Sequence, residues 1–180
     1  MYNYKNGESF SLIKIVDNFF DEETFKNIRN YVSTKVTFET SFFEKDAGDH
    51  GEKSYGMRSS LSNHPELMDT ILRQSEKKFR IKIKKINGSS GVDMRNLKYF
   101  IAHTDPFDHN IMIMLVGPEA NTNGTVFYSD LNNTIDTHVG FRENRAIMFP
   151  SDLIHSAHAS NNPSLVRITS TVFIEEYEEV

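Results

Sequence analysis

Hydrophobic and polar positions alternate with two different periods along this chain of 180 residues, and the change of period separates helices from strands. The stretch SLIKIV, residues 11–16, alternates as a strand does. DEETFKNIRNYV then predicts a helix with Asp21 as its N-cap, because acidic residues fill the first turn. A second helix is predicted from about Pro65 to Lys78, with Asn63 as a candidate cap. Its apolar residues, which should pack on a sheet, are Leu67, Met68, Ile71, Leu72 and Phe79.

The remaining pattern predicts loops and short strands. Residues 44–59 are rich in glycine and charge and show no period, which predicts a surface loop that could act as a lid. FRIKIKKING alternates apolar and basic residues, which is typical of a solvated edge strand kept from aggregating by lysines. Six β-like runs follow: MRNLKYFIAH, NIMIMLV, TVFYS, THVGF, RAIMF and VRITSTVFI. They predict a sandwich or jelly roll, and the acidic end EEYEEV is expected to fray.

Length and composition limit the possible classes of protein. A chain of 180 residues suits one domain, in which residues 1–90 would supply supporting strands and helices and residues 91–180 the β core. The absence of cysteine excludes disulfides and thiolate metal sites, so any metal must be held by histidine and carboxylate. A net charge of −5 gives no general attraction for nucleic acid or for a membrane surface. With no signal-peptide or membrane-spanning run, we expect a cytoplasmic protein of undetermined oligomeric state.

Candidate metal ligands come from two separate stretches. On a strand, His103 and Asp105 would point to the same side and present an imidazole and a carboxylate to one point. In NRAIMFPSDLIHSAHAS, an apolar strand runs into a turn that delivers His155 as a third ligand. His158 competes for that position, and we favour His155 because the Phe-Pro-Ser turn places it. Two histidines and one carboxylate with open positions suit non-haem Fe(II).

The strand VRITSTVFI adds an arginine to this set. Arg167, Thr169, Thr171 and Phe173 share one face, and apolar residues dominate the other. An arginine on the inner face of a jelly roll is costly unless it meets an anion, which a ligand could supply.

The order His-x-Asp, distal histidine and then arginine about ten residues later resembles the 2-oxoglutarate/Fe(II)-dependent dioxygenase superfamily, and within it the prolyl 4-hydroxylase-like group. IKIVDNFFDEETFKNI is similar to the opening strand and helix of that group, and MRSSLS to its Arg-Thr-Ser segment. NGTVFY resembles its Gly-Gly-Thr-x-Phe stretch, and FPSDLIHSAH, the most specific of the four, its Phe-Pro-Ser-x-x-x-His motif. Where many members have Gly-Arg, this chain has Asn144 before Arg145, and asparagine tolerates the positive φ.

The resemblance implies a double-stranded β-helix, a cupin-like jelly roll with the N-terminal helices packed on the outer face of its sheet. It also implies the site residues. His103, Asp105 and His155 would bind Fe(II), Arg167 would pair with the C5 carboxylate of 2-oxoglutarate, and Thr169 would add a supporting hydroxyl.

Three further residues are weaker candidates. Tyr99, four residues before His103, could also reach the cosubstrate, although the chain lacks the glycine that the family usually has between an early tyrosine and the His-x-Asp strand. Arg58 and Tyr55, next to the glycine-rich loop, could line the substrate groove.

The implied activity uses dioxygen and converts 2-oxoglutarate to succinate and carbon dioxide while an amino-acid or peptidyl substrate is hydroxylated, with proline as the leading candidate. Asp105 favours hydroxylation, because the related halogenases lack this carboxylate. An AlkB-like nucleobase demethylase is an alternative, but that group has a second arginine where this chain has Phe173. The intact set of three ligands and the inward arginine argue against a catalytically idle jelly-roll binding module, and a zinc hydrolase would have no use for Arg167.

Overall fold

The computed structural model describes residues 11–40, 55–96, 102–129, 134–158 and 166–180. Helix α1 (Glu22–Thr34) begins as predicted, because a carboxylate oxygen of Asp21 accepts a hydrogen bond of 2.9 Å from the backbone N–H of Thr24. Helix α2 is Pro65–Phe79. It begins at Pro65, as predicted, but its N-cap is His64 and not Asn63, because Asn63 is the last residue of a 3-10 turn at residues 61–63.

Eleven strands are present in the described residues. In chain order they are β1 (Lys14–Val16), β2 (Glu39–Thr40), β3 (Tyr55–Ser60), β4 (Ile81–Ile86), β5 (Gly91–Asn96), β6 (His109–Val116), β7 (Ala120–Tyr128), β8 (Ile135–Phe141), β9 (Arg145–Pro150), β10 (His155–His158) and β11 (Arg167–Glu179). The larger sheet has the order β1-β9-β6-β11-β5-β3-β2, with β4 added against β11. The smaller sheet has the order β10-β7-β8.

Two apolar clusters show how the layers pack. The first lies between the larger sheet and the helices and includes Ile28 and Ile71 from the helices and Val172 from β11. The second includes Met114 and Phe149 from the larger sheet and Phe127 from the smaller one, so it fills part of the space between the two sheets. The helices therefore cover the outer face of the larger sheet, and the inner face is turned towards the smaller sheet, as a jelly roll requires.

The structure corrects two predictions made from local pattern. The end of the predicted loop at residues 44–59 is strand β3, which pairs with β5 on one side and β2 on the other, while residues 44–54 lie outside the described part of the chain. The acidic end does not fray, because Glu175 to Glu179 continue β11. Strand β4 pairs with this segment, and its lysines make ion pairs with the glutamates, so the predicted solvated edge strand is confirmed.

The turn between β8 and β9 binds the segment that joins β1 to α1. Asn144 has a φ of 62°, the left-handed conformation predicted for this position. Its side-chain amide accepts a hydrogen bond from the backbone N–H of Phe20 at 2.9 Å and donates one to the carbonyl of Phe20 at 3.0 Å.

In the part of the chain that is described, no helix combines the length and the apolar character needed to cross a bilayer.

Candidate metal centre

His103, Asp105 and His155 come together between the two sheets. One nitrogen or oxygen atom from each lies within 4.8 Å of the others. The Nε2 atom of His155 is 3.4 Å from Oδ2 of Asp105, and the Nε2 atom of His103 is 3.8 Å from Oδ1. Bonds from such ligands to a divalent metal are about 2.0 to 2.2 Å long, so two ligand atoms of one ion can be up to about 4.4 Å apart, and both distances to Asp105 are within that limit.

Backbone hydrogen bonds set the positions of all three residues. His103 and His155 form a bridge in which each backbone N–H donates to the carbonyl of the other, at 3.0 and 2.8 Å. The prediction that His103 and Asp105 share a strand is wrong, because only His103 forms a bridge and the chain bends after Asp105. The carboxylate reaches the site because the N–H of Asp105 donates to the carbonyl of Ser151 in the turn that precedes His155.

His155 has one ring nitrogen committed to the protein and one directed to the site. Its Nδ1 atom lies 2.8 Å from the carbonyl oxygen of Leu153, and since a carbonyl can only accept, Nδ1 carries the proton. Nε2 is therefore the ring atom directed at the carboxylate of Asp105: with a proton it pairs with that carboxylate, and without one it can bind a metal. The rings of Phe149 and Phe127 pack against His155, with centroids at 4.9 and 6.2 Å. The side chain of His155 is 5% exposed and that of His103 36%, so the site has a closed side and an open side.

Asp105 is held by a side chain that the sequence analysis missed. Asn110, at the start of β6, donates a hydrogen bond of 2.6 Å to Oδ2 of Asp105 and accepts one of 2.8 Å from the hydroxyl of Ser151. Burial raises the pKa of Asp105, but the hydrogen bond and charge of His155 and the charge of His103 outweigh it and hold the pKa below its usual value. The carboxylate is thus in its ligating form. A polar residue opening the apolar run NIMIMLV was the available signal.

Arg167 lies where predicted, at the start of β11 with its side chain inside the barrel and only 5% of the residue exposed. Its Nη1 atom donates to Oδ1 of Asn123 at 3.0 Å and to the carbonyl of Gly124 at 2.7 Å, while Nε is buried without a partner among the described residues. Burial, assisted by the charge of Arg95, lowers the pKa of Arg167 to about 9. Such a guanidinium is suited to an anionic ligand.

A second group of charges lies beside Arg167 on the same inner face. Asp93, which is 1% exposed, accepts hydrogen bonds of 2.7 and 3.0 Å from Nε and Nη2 of Arg58. Nη2 of Arg95 is 3.7 Å from the same carboxylate. Thr169 is directly opposite Asp93 in the sheet. The sequence analysis missed Asp93 and Arg95, although their alternation with apolar residues in GVDMRN was a signal that two charges share one face.

The structure does not place some of the other histidines and tyrosines in the site. Tyr99 lies outside them, and for Tyr55 and His158 only the backbone, in β3 and β10, is described. His64 is buried, with its two ring nitrogens 3.0 Å from the hydroxyl of Tyr31 and 2.9 Å from that of Ser59, which is a structural environment.

Comparison with known proteins identifies the fold. No protein-family model matches the chain, and no curated protein matches its sequence. HygX from Streptomyces hygroscopicus, solved with nickel, 2-oxoglutarate and hygromycin B, aligns with a TM-score of 0.62 at 8% identity over 96% of this chain and 87% of that one. A prolyl-4-hydroxylase from Pseudomonas putida aligns with a TM-score of 0.55 at 10% identity over 92% of both chains.

A prolyl hydroxylase from Trichoplax adhaerens, in complex with a peptide fragment of hypoxia inducible factor, has a TM-score of 0.56 at 12% identity over 91% of this chain and 83% of that one. At these identities the likeness establishes the fold. The chain has the jelly-roll fold, the double-stranded β-helix, of the 2-oxoglutarate/Fe(II) oxygenases, as its sequence predicted.

Proposed function

We propose that this protein is an Fe(II)- and 2-oxoglutarate-dependent dioxygenase that hydroxylates an amino-acid or peptidyl substrate. The observation that carries the proposal is the placement of two independent features inside one barrel. His103, Asp105 and His155 converge on one point, and Arg167 lies buried on the inner face of β11, where its Nε has no partner within the described part of the chain. The metal ligands alone would fit several kinds of metal protein, whereas the buried arginine adds a requirement for an anion.

The donor set fits iron. The imidazoles of His103 and His155 and the carboxylate of Asp105 would hold the ion and leave positions for further ligands, and this donor set is typical of non-haem Fe(II) oxygenases. When bound, iron, 2-oxoglutarate and dioxygen supply the oxidising chemistry: one oxygen atom enters a C–H bond of the substrate, and the other enters succinate as carbon dioxide leaves.

The protein's own residues bind and orient these groups. Arg167 would pair with the C5 carboxylate of 2-oxoglutarate through its remaining N–H groups, since Nη1 already anchors the side chain to Asn123 and Gly124. Gly124 has a φ of +155°, and a Cβ there would collide with the carbonyl of Val139, so a larger residue would disturb this anchor. The hydroxyl of Thr169 is a further donor on the same face. Asn110 and Ser151 orient the carboxylate of Asp105.

Proline remains the leading substrate, supported by the likeness to two prolyl hydroxylases, although HygX was solved with hygromycin B. A nucleobase demethylase has less support. At the position where that group has a second arginine, Phe173 packs its ring against Phe107, with centroids 4.7 Å apart. The three converging ligands together with the buried arginine argue against an inactive binding module, and a zinc hydrolase would leave Arg167 without a ligand.

Two measurements test the proposal. Isothermal titration with Mn(II) in place of Fe(II), which prevents turnover, should show that 2-oxoglutarate binds only when the metal is present. With Fe(II) and dioxygen, a screen of amino acids and proline-containing peptides should show substrate-stimulated release of succinate, with a gain of one oxygen atom in the product mass. Failure of 2-oxoglutarate to bind would contradict the oxygenase assignment, and a flat response to every amino-acid and peptide class would contradict the substrate class.

A further inference from the structure

The guanidinium of Arg167 is held in place by strand β7. Its Nη1 atom donates hydrogen bonds to Oδ1 of Asn123 at 3.0 Å and to the carbonyl oxygen of Gly124 at 2.7 Å. This nitrogen carries two N–H groups, so the two acceptors use both of its hydrogens. Asn123 is 4% exposed and Arg167 5%, so solvent has little access to these bonds.

The two hydrogen bonds determine which edge of the guanidinium is left for a ligand. The remaining edge consists of Nε and Nη2, and Nε is buried with no partner within the described part of the chain. The same edge of Arg58 binds a carboxylate on the same inner face, where its Nε and Nη2 donate to the two oxygens of Asp93 at 2.7 and 3.0 Å. A carboxylate ligand of Arg167 would therefore be bound through Nε and Nη2.

The side-chain amide of Asn123 has its orientation set from its other end. Its Nδ2 atom donates to the carbonyl oxygen of Pro118 at 3.3 Å, and since a carbonyl can only accept, the amide oxygen is the atom that faces Arg167. The segment around Pro118 also packs on the arginine. Gly117 has a φ of +156°, and a Cβ there would lie 3.0 Å from Cβ of Arg167. Asn123 thus links the guanidinium to a segment that contacts the base of the same side chain.

Both acceptors of Nη1 are neutral groups. An amide oxygen and a carbonyl oxygen orient the guanidinium and leave its positive charge available to a ligand. A carboxylate at position 123 would be a counter-ion within the protein and would compete with a ligand anion. It would also place its second oxygen against the carbonyl of Pro118, which needs a donor. An asparagine therefore satisfies both of its neighbours, and an aspartate would not.

We propose that Asn123 is a positioning residue for cosubstrate binding, which holds Nη1 of Arg167 through a neutral acceptor and keeps the Nε and Nη2 edge for the C5 carboxylate of 2-oxoglutarate. The proposal rests on the function proposed above and adds a residue that acts through Arg167. Asn123 should consequently affect the binding of the distal carboxylate and leave binding of the metal and of the 2-oxo acid group unchanged.

The test compares two 2-oxo acids of equal chain length. Protein loaded with Mn(II) is titrated by calorimetry, directly or by displacement, with 2-oxoglutarate and with 2-oxopentanoate, which has a methyl group in place of the C5 carboxylate. The ratio of the two affinities measures the selectivity for the distal carboxylate, whereas damage to the fold or to the metal centre lowers both affinities together. In the parent protein, 2-oxoglutarate should bind roughly thirtyfold or more tightly than 2-oxopentanoate.

Two substitutions of Asn123 should lower this selectivity in a defined order. Asn123→Ala removes the acceptor and should lower it about tenfold, the scale of one hydrogen bond to a charged group. Asn123→Asp keeps an acceptor of the same shape and adds a negative charge, so it should lower the selectivity further. A purely structural anchor predicts the opposite order, because Asn123→Asp preserves the bond to Nη1.

Asn27→Asp is the matched control, since Asn27 is exposed on α1 and the substitution makes the same change of charge. It should keep the selectivity of the parent protein. If Asn123→Asp does not fold, Asn123→Ala decides alone: lost selectivity supports the inference, and kept selectivity overturns it.

Three results would overturn the inference. Both Asn123 variants could keep the parent selectivity, Asn123→Asp could lie nearer to the parent than Asn123→Ala does, or the variants could lose affinity equally for the two acids. The parent protein separates these results from a failure of the proposed function. If the parent binds 2-oxoglutarate no better than 2-oxopentanoate, the role proposed for Arg167 is wrong. If the parent is selective and the Asn123 variants are equally so, only the role of Asn123 is wrong.

Discussion

Strand β11 has two faces that are equally buried and chemically opposite. Towards the helices it presents Ile168, Val172 and Ile174, and towards the smaller sheet it presents Arg167 and Thr169. Burial of apolar side chains stabilises the fold by about 25 cal/mol per Å². Burial of a guanidinium opposes folding until an anion arrives, as the lowered pKa of Arg167 indicates. One face therefore contributes stability, and the other holds binding groups at a cost in stability.

The largest effect is expected at the three proposed metal ligands. Replacing any of the three proposed ligands by alanine, in His103→Ala, Asp105→Ala or His155→Ala, should abolish turnover with Fe(II). It should also weaken Mn(II) binding by more than the roughly 10- to 100-fold that is typical when a residue hydrogen-bonded to a metal ligand is replaced. His158→Ala should keep a measurable fraction of both, as should His138→Ala at an exposed position. Metal titration by calorimetry measures the change in Mn(II) binding. An inactive His158→Ala variant together with an active His155→Ala variant would show that His155 is wrongly assigned as the third ligand.

The next largest effect concerns Arg167. Removing one partner of a buried charge pair typically costs about 2 to 5 kcal/mol, so Arg167→Ala should weaken 2-oxoglutarate binding by roughly thirtyfold or more. Arg167→Lys should fall between, because it keeps the charge and loses the planar fork. Mn(II) affinity should change far less, since Arg167 is not a proposed ligand. Calorimetry of the Mn(II) protein with 2-oxoglutarate makes the measurement, and parent-like affinity in Arg167→Ala would exclude the cosubstrate assignment.

These two effects concern residues that the sequence itself indicated, and the reason is physical. A histidine, an aspartate and an arginine at set spacings in an apolar strand pattern are unusual enough to be noticed. The strands and helices were also predictable, because burial of one face imposes a period on the sequence.

What the sequence did not reveal depends on contacts between distant segments. Asn110 meets Asp105 only because the chain turns between them. Ser151, which donates a hydrogen bond to Asn110, lies 41 residues further along the chain. Asp93 and Arg58 are 35 residues apart and meet through strand pairing. Strand β3 has no apolar period, since pairing with β5 and β2 defines it. Long-range register of this kind is not encoded in a local pattern.

A smaller effect is expected for Asn110, which contacts the proposed metal ligand Asp105. Asn110→Ala removes the donor that orients Asp105, and partners of this kind typically contribute about 10- to 100-fold in metal affinity. Mn(II) affinity should fall within that range, while 2-oxoglutarate binding to protein saturated with Mn(II) should be largely kept. A merely structural role would lower the unfolding temperature and leave metal affinity in the folded protein unchanged, so both are measured on the same sample.

The smallest changes give the sharpest test of the difference between the two faces of β11, because one substitution removes a single methyl group and the other exchanges a hydroxyl for a methyl group. Ile174→Val on the outer face should lower the free energy of unfolding by about 0.5 to 1.5 kcal/mol and leave 2-oxoglutarate affinity unchanged. Thr169→Val on the inner face keeps the shape and removes a hydroxyl. It should weaken 2-oxoglutarate binding by up to about tenfold, the scale of one net hydrogen bond, with little loss of stability.

Chemical denaturation and calorimetry on both variants separate the two outcomes. If Thr169→Val loses stability without losing affinity, the hydroxyl serves the fold and not the cosubstrate. If Ile174→Val weakens 2-oxoglutarate binding, the two faces are coupled through the backbone of β11. Such coupling is possible in principle because residues 169 and 174 share one strand, but their side chains point to opposite sides of the sheet and have different neighbours. Independent effects are therefore expected, with stability set from the outer face and binding from the inner one.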